Sequence, residues 1–290
     1  MTTLPEFAAR KSPLRPLAAP LPLRLPRAEA GFHLTPVRRR LAPLRRQPAT
    51  DPSLSQVLVK LPFVDLPSAE LVRVVYGDPV SRMAEILRRL RSRLKNGAML
   101  DSSPTLLVTS LAAGEGKTTV AANLAASLAL DGRRVLLVDA NEQHPSLHDL
   151  FNLPARPGFG DVLVSPACYE SAIAETDLLD FHVLPAGAAV RLTHEQFLAF
   201  RSRASINFHH VIFDAGSLTS PAARALAGMV DGVLTVVRAD AKNHDCMKKL
   251  SATLGQRDVE HLGTILNGVQ EADGTNPQSL LSSFDSGRAA

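Results

Sequence analysis

The run Val108-Thr-Ser-Leu-Ala-Ala-Gly114-Glu115-Gly116-Lys117-Thr118-Thr119 constrains this chain more than any other stretch. It follows a short apolar run and leads into a helical run of small residues. Glycines let the backbone turn tightly, so successive N–H groups face inward and can cradle phosphate oxygens. A helix starting near Lys117 adds its positive dipole end. Lys117 then supplies a mobile charge for β- and γ-phosphates, and the Thr118 hydroxyl suits Mg²⁺. The expected ligand is Mg-ATP, cradled by Ala113, Gly114, Glu115, Gly116, Lys117, Thr118 and Thr119. The run departs from the strict G-x(4)-G-K-[ST] pattern because position 111 is Leu. Alone, a GxGKT string could be a loop-to-helix turn with an incidental lysine. Its position between strand and helix argues against that.

Two further runs have the matching construction. Arg134-Val-Leu-Leu-Val-Asp139 and His210-Val-Ile-Phe-Asp214 are apolar runs ending in a carboxylate. The C-terminal ends of parallel strands are where such sheets bind ligands. An unpaired carboxylate is costly on a buried strand, so both are expected to serve a ligand. Asp139 and Asp214 become candidates for holding the metal with Thr118, and one of them for orienting or deprotonating a nucleophile. Taken singly, each could be a turn or cap residue. Together with Lys117 they have one shared explanation.

Apolar runs at Thr105–Thr109, Arg134–Val138, His182–Leu184, His210–Phe213, Gly232–Val237 and Gly263–Leu266 alternate with helical stretches, beginning with Lys117–Leu130. This alternation predicts an α/β fold, a P-loop NTPase with a mostly parallel central sheet flanked by helices. Ahead of it, Asp78-Pro79 reads as a helix start. Met83, Ile86, Leu87, Leu90 and Leu94 then recur at helical spacing.

The net charge of +4 hides an asymmetry. Residues 1–60 carry eleven basic and three acidic residues, a net of +8, which leaves −4 for the remainder. They also hold ten of the 21 prolines, each of which removes a backbone donor and biases its predecessor away from helix. The segment reads as disordered: either a basic arm touching anionic lipid or a partner, or a solvated linker. An organellar transit peptide ranks below both. No apolar run reaches the roughly 20 residues of a membrane span, and prolines and arginines interrupt any secretory signal. Cys168 and Cys246 form neither a disulfide framework nor a CxxC pair. The last residues, from about Glu271, turn polar and read as a loose tail. The expected organisation is 1–75 basic and disordered, 76–270 folded and ATP-binding, and 271–290 flexible.

From Asp78 to about Val269 the chain resembles bacterial tyrosine kinases (BY-kinases, CpsD/CapB-like) of capsule and exopolysaccharide production, within the MinD/ParA-like P-loop class. Thr109-Ser110…Gly114-Glu115-Gly116-Lys117-Thr118 is similar to their Walker A. Val138-Asp139-Ala-Asn141, with Pro157-Gly158…Asp161-Val-Leu163 after it, is similar to their second Walker strand and its continuation. Phe208-His-His-Val-Ile-Phe-Asp214 resembles Walker B, and Val230–Arg238 and Leu262–Val269 resemble the last two core strands. Glu85-x-x-Arg88-x-x-Arg91 matches the family's E-x-x-R-x-x-R signature.

The resemblance implies a protein-tyrosine kinase in the cytoplasm, or peripheral at the inner membrane. It also implies a membrane chain-length determinant (polysaccharide co-polymerase) as partner and self-association through Glu85, Arg88 and Arg91. Asp139 would be base or metal ligand, Asp214 a metal ligand, and Arg238 and Asn267 would lie near the adenine. Departures count too. Asn141 stands where the family has a second Asp, and Asn cannot act as a base. Ala215-Gly216-Ser217 replaces the usual residues after Walker B. The tail from Glu271 contains no tyrosine, so an acceptor in this chain must be Tyr76 or Tyr169. A catalytically weak, ATP-gated assembly module therefore stands as the alternative. A DNA-binding partition ATPase is a third reading, but Ala112 replaces that class's signature lysine, and no nucleic acid is expected.

Overall fold

The computed structural model describes residues 59–62, 70, 72–96, 105–239 and 260–269. The readings made for the basic arm up to residue 58, the tail from Glu271 and Cys246 lie outside the described residues.

Among the described residues eight strands form one sheet: β1 (Val59–Pro62), β2 (Thr105–Ser110), β3 (Val135–Ala140), β4 (Ala174–Glu175), β5 (Phe181–Leu184), β6 (His210–Ser217), β7 (Gly232–Arg238) and β8 (His261–Val269). Their spatial order is β1-β8-β7-β2-β6-β3-β5-β4. Neighbours run parallel except the β4–β5 pair. All six strands expected from the apolar runs are present. They read as unbroken apolar runs because both faces of a parallel sheet are covered.

The described helices are α1 (Val74–Gly77), α2 (Arg82–Asn96), α3 (Lys117–Ala129), α4 (Leu147–Leu150), α5 (Phe159–Val164), α6 (Tyr169–Ala172), α7 (His194–Asn207) and α8 (Pro221–Ala227). Strand residues alternate between two cores. Leu106, Val108, Val135, Leu137, Ile212 and Leu234 face α1, α2 and α3. Leu107, Leu136, Val138, Val211, Phe213 and Val233 face α5, α7 and α8. On this second face Phe159, Phe197, Phe200 and Phe213 meet mostly edge to face. α3 is buried nearly all round because Ala121, Ala122, Ala125 and Ala126 let it lie close to the sheet and to its neighbours.

Two local details depart from expectation. The start of α2 is capped by Ser81, whose hydroxyl accepts from the Ala84 N–H at 3.2 Å, while Asp78-Pro79 sits in the preceding turn. β1 lies within residues 1–75, for which no element was expected. Val59 and Leu61 point into the core, and Pro62 is tolerated because the strand is at the sheet edge. On α2, Met83, Leu87, Leu90 and Leu94 are buried as the periodicity predicts. Truncating Leu87 or Leu90 to Ala would cost about 2–5 kcal/mol. No described helix is long and apolar enough to cross a membrane.

Candidate nucleotide-binding site

The end of β2 is held by its neighbour before the loop begins. The Thr109 hydroxyl donates to the Gly216 carbonyl at 2.7 Å, and the Leu218 N–H donates to the Ser110 carbonyl at 2.7 Å. Between β2 and α3 the chain turns through Gly114 at φ 76° and Gly116 at φ 90°, conformations that favour glycine. At Gly116 a Cβ would also lie 2.1 Å from Asn267 Nδ2. Asn267, at the end of β8, donates through that nitrogen to the Glu115 carbonyl at 3.0 Å. The Glu115 carboxylate turns back and accepts from Leu111 N–H at 3.1 Å and Ala112 N–H at 3.0 Å. Ala113 and Gly114 are exposed at the crest of this loop.

Lys117 opens α3 and is 8% exposed. Its ammonium donates to the Ala112 carbonyl at 3.4 Å. Burial lowers its pKa, while the carboxylates of Asp214 and Glu115 push the other way. Thr118 donates its hydroxyl to Asp214 Oδ2 at 2.6 Å. Thr119, half-buried, lends its carbonyl to the buried Asn123 Nδ2 at 2.8 Å, and Asn123 Oδ1 accepts from Val75 N–H.

The register of β3 and β6 sets Asp139 directly beside Asp214. Their surroundings differ. Asp139 is tied to backbone: Oδ1 accepts from Asn141 N–H at 3.1 Å, and Oδ2 from Ser146 and Leu147 N–H at 2.9 and 3.0 Å. Burial raises its pKa and these three bonds oppose the rise. Asp214 is fully buried, and its Oδ1 has no hydrogen-bond partner among the described residues. Burial, reinforced by the charge of Asp139, pushes its carboxyl up to about 7 against the Thr118 bond and Lys117. A buried carboxylate oxygen without a partner, beside a threonine hydroxyl at the start of a phosphate-binding helix, fits a hard divalent cation. Among the described residues no three His, Cys, Asp or Glu cluster to cage a metal alone. Mg²⁺ takes one or two protein oxygens and fills its remaining positions with waters and phosphate oxygens.

Arg238 and Asn267 are register partners on β7 and β8, so the structure brings both to one end of the sheet. Arg238 is exposed and Asn267 is engaged on the loop. Asn141 is spent on a turn, its Nδ2 donating to the His144 carbonyl at 2.9 Å. Of the second signature, Arg91 is half-buried, donating to the Ser127 carbonyl at 2.6 Å and pairing with Asp131 at 3.4 Å. Glu85 pairs with Arg89, and Arg88 donates to the Pro79 carbonyl at 2.6 Å; both remain exposed. The Pro157–Leu163 stretch is explained by packing. Gly158 and Gly160 lie against the backbone of residues 185–188, where a Cβ would collide. Asp161 accepts from Gly158 and Ala188 N–H and pairs with Arg156.

Sequence reading missed the bracing roles of the Glu115 side chain and Asn123. Glutamate between two glycines signals a turn, and nothing local reveals which N–H groups it reaches. Tyr169 is 0% exposed, with the Arg203 guanidinium 4.4 Å above its ring. Tyr76 is partly exposed and donates to Asp177 at 3.3 Å.

Comparison with known proteins agrees with this geometry. Residues 106–280 match the family described as CobQ/CobB/MinD/ParA nucleotide binding domain. Tyrosine-protein kinase YwqD of Bacillus subtilis is 28% identical over 201 residues, covering 67% of this chain and 85% of that protein. Succinoglycan biosynthesis transport protein ExoP of Rhizobium meliloti is 29% identical over 211 residues, 70% of this chain but 27% of ExoP. Among solved structures, the chimerical protein CapA2B2 is similar at 27% identity and a TM-score of 0.67, covering 75% of this chain and 96% of that one. The chain belongs to the CobQ/CobB/MinD/ParA nucleotide-binding family, and within it matches the BY-kinase, CpsD/CapB-like branch.

Proposed function

We propose that this protein is the cytoplasmic ATP-binding component of a bacterial polysaccharide polymerisation and export system, and that it transfers the γ-phosphoryl group of ATP to tyrosine. The observation that carries this reading is the Thr118–Asp214 pair beside Lys117, with the buried Asp214 Oδ1 unbonded among the described residues. Support also comes from the similarity to YwqD, whose name states tyrosine-protein kinase, and to ExoP, whose name states succinoglycan biosynthesis transport.

In the proposed step the bond from Pγ to the ADP oxygen breaks and a bond from Pγ to a tyrosine oxygen forms. The phenolic proton passes to a carboxylate. The backbone N–H groups of Ala113 to Thr119 hold the phosphates, Lys117 follows the charge on the transferring group, and Asp139 and Asp214 flank the reaction. Thr118 and Asp214 would hold Mg²⁺, which neutralises phosphate charge when bound. The three backbone bonds at Asp139 suit it to positioning the metal's surroundings as much as to accepting a proton. Arg238 and Asn267 would border the adenine. The partner would be a membrane chain-length determinant whose cytosolic segment completes the site. Self-association would run through Glu85 and Arg88, and the basic N-terminal arm would touch an anionic membrane surface.

One specific observation favours a second reading, an ATP-gated assembly module with little turnover. Of the chain's two tyrosines, one is fully buried and the other is hydrogen-bonded, and Asn141 is locked in a turn. Transfer from γ-labelled ATP, with and without the partner's cytosolic segment, decides between them. Acid-stable label on tyrosine in wild type and none in Lys117→Met supports the kinase. Tight Mg-nucleotide binding with no labelled protein sinks it in favour of the module.

A further inference from the structure

We infer that the Glu115 side chain is a positioning residue that holds the phosphate-binding loop in its working arch before nucleotide arrives. The inference rests on the nucleotide-site reading and adds a role for a side chain that the loop motif leaves free to vary.

The loop between β2 and α3 must expose inward-facing N–H groups for phosphate, yet buried N–H groups without acceptors are costly. Glu115 resolves part of that conflict from within. It is 5% exposed, although glutamate is rarely buried without partners. One carboxylate oxygen accepts from both Leu111 and Ala112, at 3.1 and 3.0 Å, and so closes a ring from the loop's end back to its beginning. Such charge-assisted bonds are roughly twice as strong as neutral ones. The backbone of the same residue is held on the other side, where the Glu115 carbonyl accepts from Asn267 Nδ2 at 3.0 Å. Residue 115 is thus fixed at its side chain and at its main chain, and the two glycines beside it supply the positive φ angles that this needs. Leu111 and Ala112 are satisfied internally, which leaves the phosphate-cradling work to the N–H groups further along the loop.

The length of the side chain is part of the argument. Gln keeps the length and an acceptor oxygen but loses the charge. Asp keeps the charge but is one methylene short of the same N–H pair. Ala loses both.

The test uses the full chain as wild type, Glu115→Gln, Glu115→Asp and Glu115→Ala. Amide hydrogen exchange is followed at Leu111 and Ala112 without nucleotide, with a peptide of α7 as internal reference. Affinity for MgADP is measured in parallel. Glu115→Ala and Glu115→Asp should each raise exchange at these two amides about ten-fold or more while α7 is unchanged, the scale of one lost charge-assisted bond. MgADP affinity should fall by a similar factor, and Gln should restore most of both. Unchanged exchange at Leu111 and Ala112 in Glu115→Ala overturns the inference, and so does Gln behaving like Ala. A wild type that binds no MgADP sinks the nucleotide reading instead, and the exchange comparison still decides the role of Glu115.

Discussion

Thr118 at the start of α3 and Asp214 at the end of β6 share a 2.6 Å hydrogen bond across 96 residues of sequence. The hydroxyl satisfies one oxygen of a fully buried carboxylate, and the other has no partner among the described residues. A fold keeps such an arrangement at a stability cost, and the cost is measurable.

The carboxyl of Asp214 is raised to about 7 from an ordinary 3.8, chiefly by burial. Between those values the folded protein holds a proton that the unfolded chain has released. Stability of the nucleotide-free protein therefore falls as pH rises from about 4 to about 7 and levels off above. Asp214→Asn should flatten this dependence, raising stability by up to about 4 kcal/mol at pH 8, by about 1.5–2 kcal/mol at pH 5 and by little at pH 3. The same variant should lose Mg²⁺-dependent nucleotide binding. Denaturant unfolding across pH, paired with nucleotide titrations with and without Mg²⁺, checks both halves.

Lys117→Met should weaken MgATP binding by about a hundred-fold, the scale of two lost hydrogen bonds from a charged group. The melting temperature of the free protein should not drop, because burial already disfavours the ammonium. A fall in melting temperature without loss of affinity would assign Lys117 to the fold instead.

Tyrosine exposure separates the two candidate acceptors. Tyr169 is enclosed under Arg203, whereas Tyr76 reaches solvent beside Asp177. Any tyrosine label on this chain should vanish in Tyr76→Phe and persist in Tyr169→Phe, as phosphopeptide mapping would read. Label on a synthetic tyrosine peptide with none on the chain would place the acceptor elsewhere.

The E-x-x-R-x-x-R signature should divide by position. Arg91→Ala removes a bond to the Ser127 carbonyl and the pair with Asp131, and should cost about 1–3 kcal/mol of stability. Glu85→Ala and Arg88→Ala change exposed groups and should stay within about 0.5 kcal/mol. Sedimentation of the same three variants tests self-association. A loss of assembly in Glu85→Ala or Arg88→Ala at unchanged stability marks the contact surface.

Much of this was legible in the sequence because it is local. The loop, the strand before it and the small-residue helix after it are contiguous, so glycine placement and apolar runs identified them and named Lys117 and Thr118. Six strands, β2, β3 and β5 to β8, showed as apolar runs, because a sheet covered on both faces demands them. β4 has only two residues, and β1, reading Val-Lys-Leu-Pro, breaks its apolar pattern with Lys60 and Pro62. The carboxylates at 139 and 214 were individually visible at strand ends. That they stand side by side, one held by three backbone N–H groups and the other buried against Thr118, depends on β6 lying between β2 and β3. Likewise, Arg88 and Arg91 differ in role only because α2 turns one toward α3 and the other toward solvent. Asn267 meets the loop from 152 residues away because β8 ends beside it. Sequence spacing determined which groups a turn or helix could present. Strand order and register, set by burying two apolar faces at once, decided which of them meet.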